Sequence, residues 1–242
     1  MTQDEAKLLV AKRAMEFISD GMRVGLGTGT TATPFIYELG EAVKAGLRIE
    51  AIATSEGSAK LAKELGIPLT TFDDTPVLDV VVDGADEIAP GLALIKGGHG
   101  AHLREKIVAS ASKQFIVVAD ESKVVHKLGK FPLPVEVIQF ALPLVTLRLD
   151  DLGLNPVLRP SPGGAGPWIT DEGNVILDCH CGEIQDPEKT AKEIRNIVGV
   201  VEHGLFLGMA NLALIAGESG VRELRVGNVL QGPGGTGTSE LR

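Results

Sequence analysis

Residues 80–106 read VVVDGADEIAPGLALIKGGHGAHLREK, and no other stretch constrains the chain as much. The uninterrupted apolar run Val80-Val81-Val82 predicts a buried strand. It empties at once into Asp83, Asp86 and Glu87. A second apolar piece, Leu92 to Ile95, delivers Lys96 into a Gly97-Gly98-His99-Gly100 turn, and a helical segment carrying Arg104, Glu105 and Lys106 follows. Carboxylates at the end of a buried strand, near a lysine and a glycine-rich turn, suit proton transfer on an anionic small molecule. The competing reading is an Asp-Gly turn whose charges are simply solvated.

At 242 residues the chain has room for one α/β domain or two modest ones, and aromatics at 4% require an aliphatic core. A net charge of −9 argues against nucleic acid as a partner, since that needs a basic footprint. It leaves phosphorylated ligands open, because a few lysines and backbone amides suffice for them. No apolar run approaches the ~18 residues of a membrane span, and no basic segment followed by an apolar one stands at the start. The expectation is a soluble, cytoplasmic protein with no membrane partner. Cys179 and Cys181 flank His180 and read as strand residues; one Cys-x-Cys without a second ligand pair is weak evidence for zinc.

Taken in order, Thr2 and Glu5 form a capping-box pattern for a helix that Gly21 is expected to stop. Lys7 on this helix is a solvated charge or reaches a ligand. Met22–Leu26 predicts a strand, followed by Gly27-Thr28-Gly29-Thr30-Thr31-Ala32-Thr33-Pro34 and a helix to Leu39, with Gly40 closing it. Strand, Gly/Thr loop and helix start make a phosphate cradle from free N–H groups, hydroxyls and the helix dipole. The loop lacks both the dinucleotide and the nucleotide P-loop spacing, which steers the reading to a small phosphorylated metabolite. Ile49–Thr54 is the next strand. Ser58–Leu65 is the next helix, with Ser58 favoured as its cap and Ser55 a candidate for the site. Leu103–Ser112 predicts a helix, and Gln114–Val118 a strand that leads to Lys123. Thr28, Asp83, Lys96 and Lys123 thus come to one sheet edge from four strand ends.

Beyond the proline-rich crossing 128–134 the order becomes strand (Val135–Ile138), helix (Ala141–Leu152), strand (Pro156–Leu158), strand (Val175–Cys181), helix (Pro187–Asn196) and strand (Val200–His203). This is the βαββαβ order of a ferredoxin-like fold. Leu212–Ala216 predicts a strand that rejoins the first sheet. The fold class is therefore α/β, a Rossmann-like open sheet domain with a second ferredoxin-like α+β domain. Residues 1–130, completed by about 205–230, form the first domain, and 131–204 the second. Residues 231–242, rich in Gly, Thr and Ser, read as a disordered tail.

These residues resemble the A-type ribose-5-phosphate isomerase family. The marks are Gly25-Leu26-Gly27-Thr28-Gly29-Thr30-Thr31, Val82-Asp83-Gly84-Ala85-Asp86-Glu87-Ile88, Ile95-Lys96-Gly97-Gly98 and Arg104-Glu105-Lys106. Further marks are 128–138 (LGKFPLPVEVI), 173–178 (GNVILD) and Gly199-Val200-Val201. The resemblance implies interconversion of ribose 5-phosphate and ribulose 5-phosphate through an enediolate, a homodimer or homotetramer, no cofactor and no metal. It implies Glu105 as the catalytic base, with Asp83, Asp86 and Lys96 as the polar catalytic cluster. Thr28, Gly29, Thr30, Thr31, Gly84, Ala85, Gly97, Gly98 and Lys123 match substrate-binding positions, and Asp83, Asp86, Lys96 and His99 are expected to bind substrate with them. The chemistry agrees: without a metal, a fixed lysine can stabilise the enediolate charge. Lys96 or Arg104 near Glu105 would favour its ionised form. One of Asp83 and Asp86 assists ring opening and the other shuttles hydroxyl protons, in an order the residues leave open.

The family usually runs Lys-Gly-Gly-Gly-Ala-Ala-Leu-x-Arg-Glu-Lys, whereas this chain places His99 where a glycine is expected. If that position has φ > 0, the side chain is strained by roughly 1–3 kcal/mol. His102 reads as structural, at the helix start. A sugar-phosphate sensor on the same fold would not need Glu105. An amino-sugar phosphate deaminase would share the fold, and an acyl-CoA transferase would use a carboxylate as nucleophile.

Overall fold

Thr2 opens helix α1 (Gln3–Met15) as its capping box predicts: Thr2 Oγ1 accepts from the Glu5 N–H, and Glu5 Oε2 accepts from the Thr2 N–H at 2.7 Å. The structure is a computed structural model describing residues 1–226, so the tail expected at 231–242 lies outside the described residues. α1 stops short of Gly21. Short bonds from Phe17 N to Ala14 O and from Ile18 N to Met15 O tighten its end. Gly21, at φ +82°, instead turns the chain into strand β1 (Arg23–Leu26).

Helix α2 (Ala32–Lys44), strand β2 (Glu50–Ala53) and helix α3 (Glu56–Glu64) follow. Gly40 does not close α2, as its sequence position suggested. A Cβ there would stand 2.9 Å from Leu65 Cβ, so the glycine lets α2 approach the end of α3. Strand β3 (Leu78–Gly84) contains the Val80–Val82 run. The short strands β4 (Glu87–Ala89) and β5 (Ala93–Ile95) precede helix α4 (His102–Ser110) and strand β6 (Ser112–Asp120).

The second half gives β7 (Leu133–Val137), α5 (Leu142–Asp151), β8 (Pro156–Leu158), β9 (Val175–Cys179), α6 (Pro187–Arg195) and β10 (Val200–His203). This is the βαββαβ order expected. It builds an antiparallel sheet in the order β10-β7-β9-β8. Val145 and Leu149 of α5 and Ile194 of α6 share its core with Val135, Val137, Val175 and Leu177. Cys179 is a buried strand residue and Cys181 lies just past the strand; burial pushes both thiols up, which keeps them protonated.

β11 (Leu205–Phe206), β12 (Leu212–Gly217) and β13 (Gly220–Arg225) return to the first half. The main sheet runs β13-β12-β6-β3-β1-β2, parallel throughout except for β13, which pairs antiparallel with β12. Its faces follow the two-residue period. Val80, Val82, Ile116 and Val118 pack with α1 and α2, while Val81, Phe115 and Val117 pack with α4. Each such aliphatic side chain contributes roughly 1.5–3 kcal/mol on burial, and the core is aliphatic almost throughout. From β1 the chain goes to β2 on one side and later to β3 on the other. That places the topological switch point, where open α/β sheets bind ligands, between Leu26 and Val82.

A small third sheet, β11-β5-β4, was not anticipated, because its strands are too short to show a period. It holds the residue after β5 in place: the Lys96 N–H donates to Gly204 O at 2.9 Å. Glu87 belongs to this framework and not to the cleft. Its carboxylate accepts from the N–H groups of Gly129 (2.7 Å) and Phe131 (2.6 Å), fixing the crossing into the second half.

Candidate active site

The end of β1 and the end of β3 are joined through one carboxylate. Asp83 Oδ1 accepts from the Thr28 N–H at 3.0 Å and from the Gly84 N–H at 2.7 Å. A Cβ at Gly27 would collide with that oxygen, so the loop comes this close only with glycine there. Lys96 reaches the same point from β5. Its Nζ donates to Gly84 O at 2.6 Å and lies 3.1 Å from Asp83 Oδ2 and 3.2 Å from Glu105 Oε2. Glu105 comes from the first turn of α4. All three side chains are buried, with 4% or less exposed. Phe206 closes the floor, its ring centroid 5.5 Å from Lys96 Nζ.

Burial pushes the Glu105 carboxyl well above the ordinary carboxylate range; Lys96 opposes this and Asp83 reinforces it. Burial also works against the Lys96 ammonium, but Asp83 and Glu105 outweigh it and raise it above an ordinary lysine. Asp83 has two backbone N–H donors, whereas among the described residues Glu105 Oε2 faces only the Lys96 ammonium. Arg104, expected as a second cation beside Glu105, faces the other way. It binds Glu56 at 2.8 Å and Glu172 at 2.5 Å, so Lys96 alone opposes the burial effect.

Above this cluster opens a small cleft walled largely by polar groups. Thr28, Thr30 and Thr31 line one wall, and Gly84, Ala85 and Asp86 another. Lys96, Gly97, His99, Glu105 and Lys123 complete it. Every one of these residues was singled out in the sequence. Three more, Gly29, Asp83 and Gly98, stand behind the lining: Gly29 against the His99 ring, Asp83 beneath Lys96, and Gly98 donating its N–H to Asp86 Oδ2 at 2.8 Å. Lys7 is not in the lining; it lies 3.5 Å from Asp4.

The Gly/Thr loop offers fewer hydroxyls and more amides than its sequence suggests. The Thr28 hydroxyl is taken up by Thr54 (2.7 Å) and Ser55 (2.8 Å), and Thr33 Oγ1 donates to Gly29 O. Ser55, not Ser58, caps α3, accepting from the Ser58 N–H; the Ser58 hydroxyl donates to Gly27 O at 2.7 Å. This hydroxyl cluster braces the loop from below. Among the described residues, the N–H groups of Gly29, Thr30, Thr31 and Ala32 have no acceptor, at the N-terminus of α2. Free N–H groups at a helix N-terminus are the arrangement that favours an anion.

The condition for strain at His99 is not met. Its φ is not positive; Gly97 at +114° and Gly100 at +76° take the left-handed positions on either side. Relative to the usual family pattern, glycine has moved from position 99 to 100, where this backbone requires it. His99 is exposed and extends over Gly29, where an added Cβ would stand 2.6 Å from His99 Nδ1. His102 is structural, as expected, and wholly buried. Burial, with Lys106 and Arg159 adding to it, takes its imidazole down to about 3.

Two residues near the cleft carry no sequence signal of their own. Phe206 sits on a two-residue strand. Arg159, from the antiparallel unit, donates to Gly97 O at 2.8 Å; only three-dimensional proximity reveals it.

A family model described as ribose 5-phosphate isomerase A (phosphoriboisomerase A) matches residues 50–220. The ribose-5-phosphate isomerase A of Sinorhizobium fredii is 50% identical over 231 residues, covering 94% of this chain and 100% of that protein. The enzyme of the same name from Roseiflexus castenholzii is 55% identical over 217 residues, 88% of this chain and 92% of that protein. Among solved structures, ribose 5-phosphate isomerase A from Methanocaldococcus jannaschii is 44% identical with a TM-score of 0.89, covering 93% of this chain and all of that one. A D-ribose-5-phosphate isomerase in complex with phospho-erythronic acid is 40% identical at a TM-score of 0.90, with the same coverage.

Proposed function

The chain belongs to the ribose 5-phosphate isomerase A family, and from that premise we propose how its cleft interconverts D-ribose 5-phosphate and D-ribulose 5-phosphate in the non-oxidative pentose phosphate pathway. The phosphate binds the free N–H groups of residues 29–32, with Lys123 supplying positive charge. With the phosphate held there, the sugar's C1–C2 bond is directed to Lys96 and Glu105, which line the same cleft. Glu105 removes the proton from one carbon and returns it to the other. Lys96 stabilises the enediolate oxygen, an interaction strengthened by exclusion of water. Asp83 holds Lys96 in place, and Asp86, in the lining, serves the hydroxyl protons.

One observation carries this reading. A buried carboxyl whose nearest donor is a buried ammonium at 3.2 Å lines the same cleft as the Gly/Thr loop and Lys123. Burial moves Glu105 towards neutral pH, which suits a group that must both take and give a proton. The test is an isomerase assay over a panel of aldose phosphates in deuterated water. Glu105→Gln should abolish both turnover and deuterium uptake at C1 or C2. A variant that isomerises at the parental rate would remove Glu105 from the mechanism.

The same reading gives a cytoplasmic homodimer or homotetramer acting on a small sugar phosphate. It divides the chain into a catalytic unit (1–130 with 205–230) and an antiparallel unit (131–204). No described helix is long and apolar enough to cross a membrane. Phe140, 97% exposed, and the half-exposed Leu144 and Leu147 are apolar side chains that support self-association through the antiparallel unit.

A further inference from the structure

Arg159 neither lines the cleft nor touches Asp86, yet its guanidinium binds a peptide that borders both. Its Nη1 donates to Gly97 O at 2.8 Å and stands 3.3 Å from Gly98 O. Its other edge is fixed in a fork: Nε donates to Asp178 Oδ2 at 2.8 Å and Nη2 to Asp178 Oδ1 at 2.6 Å. The Gly97–Gly98 peptide that receives Arg159 at its oxygen presents its N–H to Asp86 Oδ2 at 2.8 Å. A trans peptide holds C=O and N–H antiparallel, so a grip on one end aims the other. The grip matters because this backbone is soft. Gly97 is at φ +114°, glycine follows it, and no side chain of its own restrains the plane.

We propose that Arg159 is a positioning residue for the isomerisation: held by Asp178, it locks the Gly97–Gly98 peptide so that the Gly98 N–H orients Asp86 towards the substrate. The antiparallel unit then contributes directly to the geometry of the site. Arginine is required, because a lysine ammonium cannot span Gly97 O and both Asp178 oxygens at once. The inference rests on the isomerase reading above and on the place of Asp86 in the cleft.

The experiment is a kinetic cycle in the full chain: Arg159→Met, Asp86→Ala and the double variant, with kcat and KM for ribose 5-phosphate and a thermal melt for each. Arg159→Met is expected to lower kcat about tenfold or more, the scale of a slightly misplaced catalytic group, with KM changed by less than about threefold. In the Asp86→Ala background the same substitution should cost nothing further. Arg159→Lys should not restore the rate. Millimolar guanidinium added to Arg159→Ala should restore part of it, and sodium at equal ionic strength should not. If Arg159→Met does not fold, Asp178→Asn replaces it in the cycle, with an expected loss of about threefold to tenfold that again vanishes beside Asp86→Ala. Losses that multiply in the double variant, or a folded variant with parental kcat, overturn the inference. A parent chain that does not isomerise ribose 5-phosphate overturns the functional reading instead, and the two failures are distinct.

Discussion

Lys96 Nζ lies 3.2 Å from Glu105 Oε2, and the same ammonium lies 3.1 Å from Asp83 Oδ2. One buried cation thus serves two buried carboxyls, and only Asp83 has other donors to hold it. Glu105 is left poised to exchange a proton.

The pH dependence follows from that poise. The rising limb of kcat/KM reports ionisation of Glu105. It should lie well above the roughly 4.3 of an unperturbed glutamate. Glu105→Gln should lower kcat by about 10²-fold or more and remove the limb. A limb in the ordinary carboxylate range would show that a different group is the base.

Stability should run the opposite way to activity. A carboxyl raised in the folded state contributes its full stability below the unfolded value and loses it as pH rises through the folded one. Glu105→Gln should therefore be more stable than the parent at pH 8, on the order of 1 kcal/mol, with the gap closing towards pH 5. Urea midpoints at the two pH values measure this.

Lys96→Met should be costly to the fold as well as to turnover. Removing the cation strands Asp83 and Glu105 in the interior, a loss of about 3–5 kcal/mol for a broken buried pair. Adding Glu105→Gln should recover part of that stability in a thermal melt while activity stays absent. A folded Lys96→Met chain, with Glu105 intact, that isomerises at the parental rate would mean that Lys96 has no role in the chemistry.

His99 and Gly29 should behave as a pair. His99→Gly is expected to keep kcat within about threefold and raise KM, because the ring covers the anion end of the cleft. Gly29→Ala, at φ +97° and 2.6 Å from His99 Nδ1, should bind substrate poorly. The double variant should recover only the part of that loss due to the collision. A parent chain inactive until His99 is replaced by glycine would contradict the unstrained backbone.

His102→Leu should protect the protein against acid. A histidine held near 3 in the folded state loses stability as pH falls below its unfolded value near 6.5, about 2 kcal/mol by pH 5. The leucine variant should match the parent at pH 7.5 and exceed it at pH 5 in urea unfolding, with kcat unchanged.

The cleft was legible because its residues sit at strand ends and on glycines, where local rules apply. Val80–Val82 fixes a buried strand, so Asp83 must emerge at its end, and the Lys96–Glu105 interval is short enough to be set by one turn and one helix start. What escaped depended on partners distant in sequence. The Thr28 hydroxyl is occupied because Thr54 and Ser55 arrive from another strand, and Arg104 turns away because Glu56 and Glu172 do. Gly40 looked like a helix stop and is a helix–helix contact, a difference that lies in the position of Leu65. Whether His99 was strained turned on its φ, and the left-handed positions fall on Gly97 and Gly100 instead.

The parallel pairing of β12 with β6 has a consequence for how the chain acquires its shape. The Phe115 N–H donates to Asn211 Oδ1 at 2.7 Å across 96 residues of sequence, and β7 to β10 lie in between. All the cleft residues, Thr28 to Lys123, leave the ribosome before β12 exists. Until then one flank of β6 is an open edge, able to pair with a neighbouring chain. Closing so long a loop costs entropy, but Leu128 and Leu205 share one core cluster. Once β7–β10 have assembled, their two exits are held together and β12 has only a few residues left to travel. The antiparallel unit acts as a folding clasp, and its late completion seals the sheet on which the cleft stands.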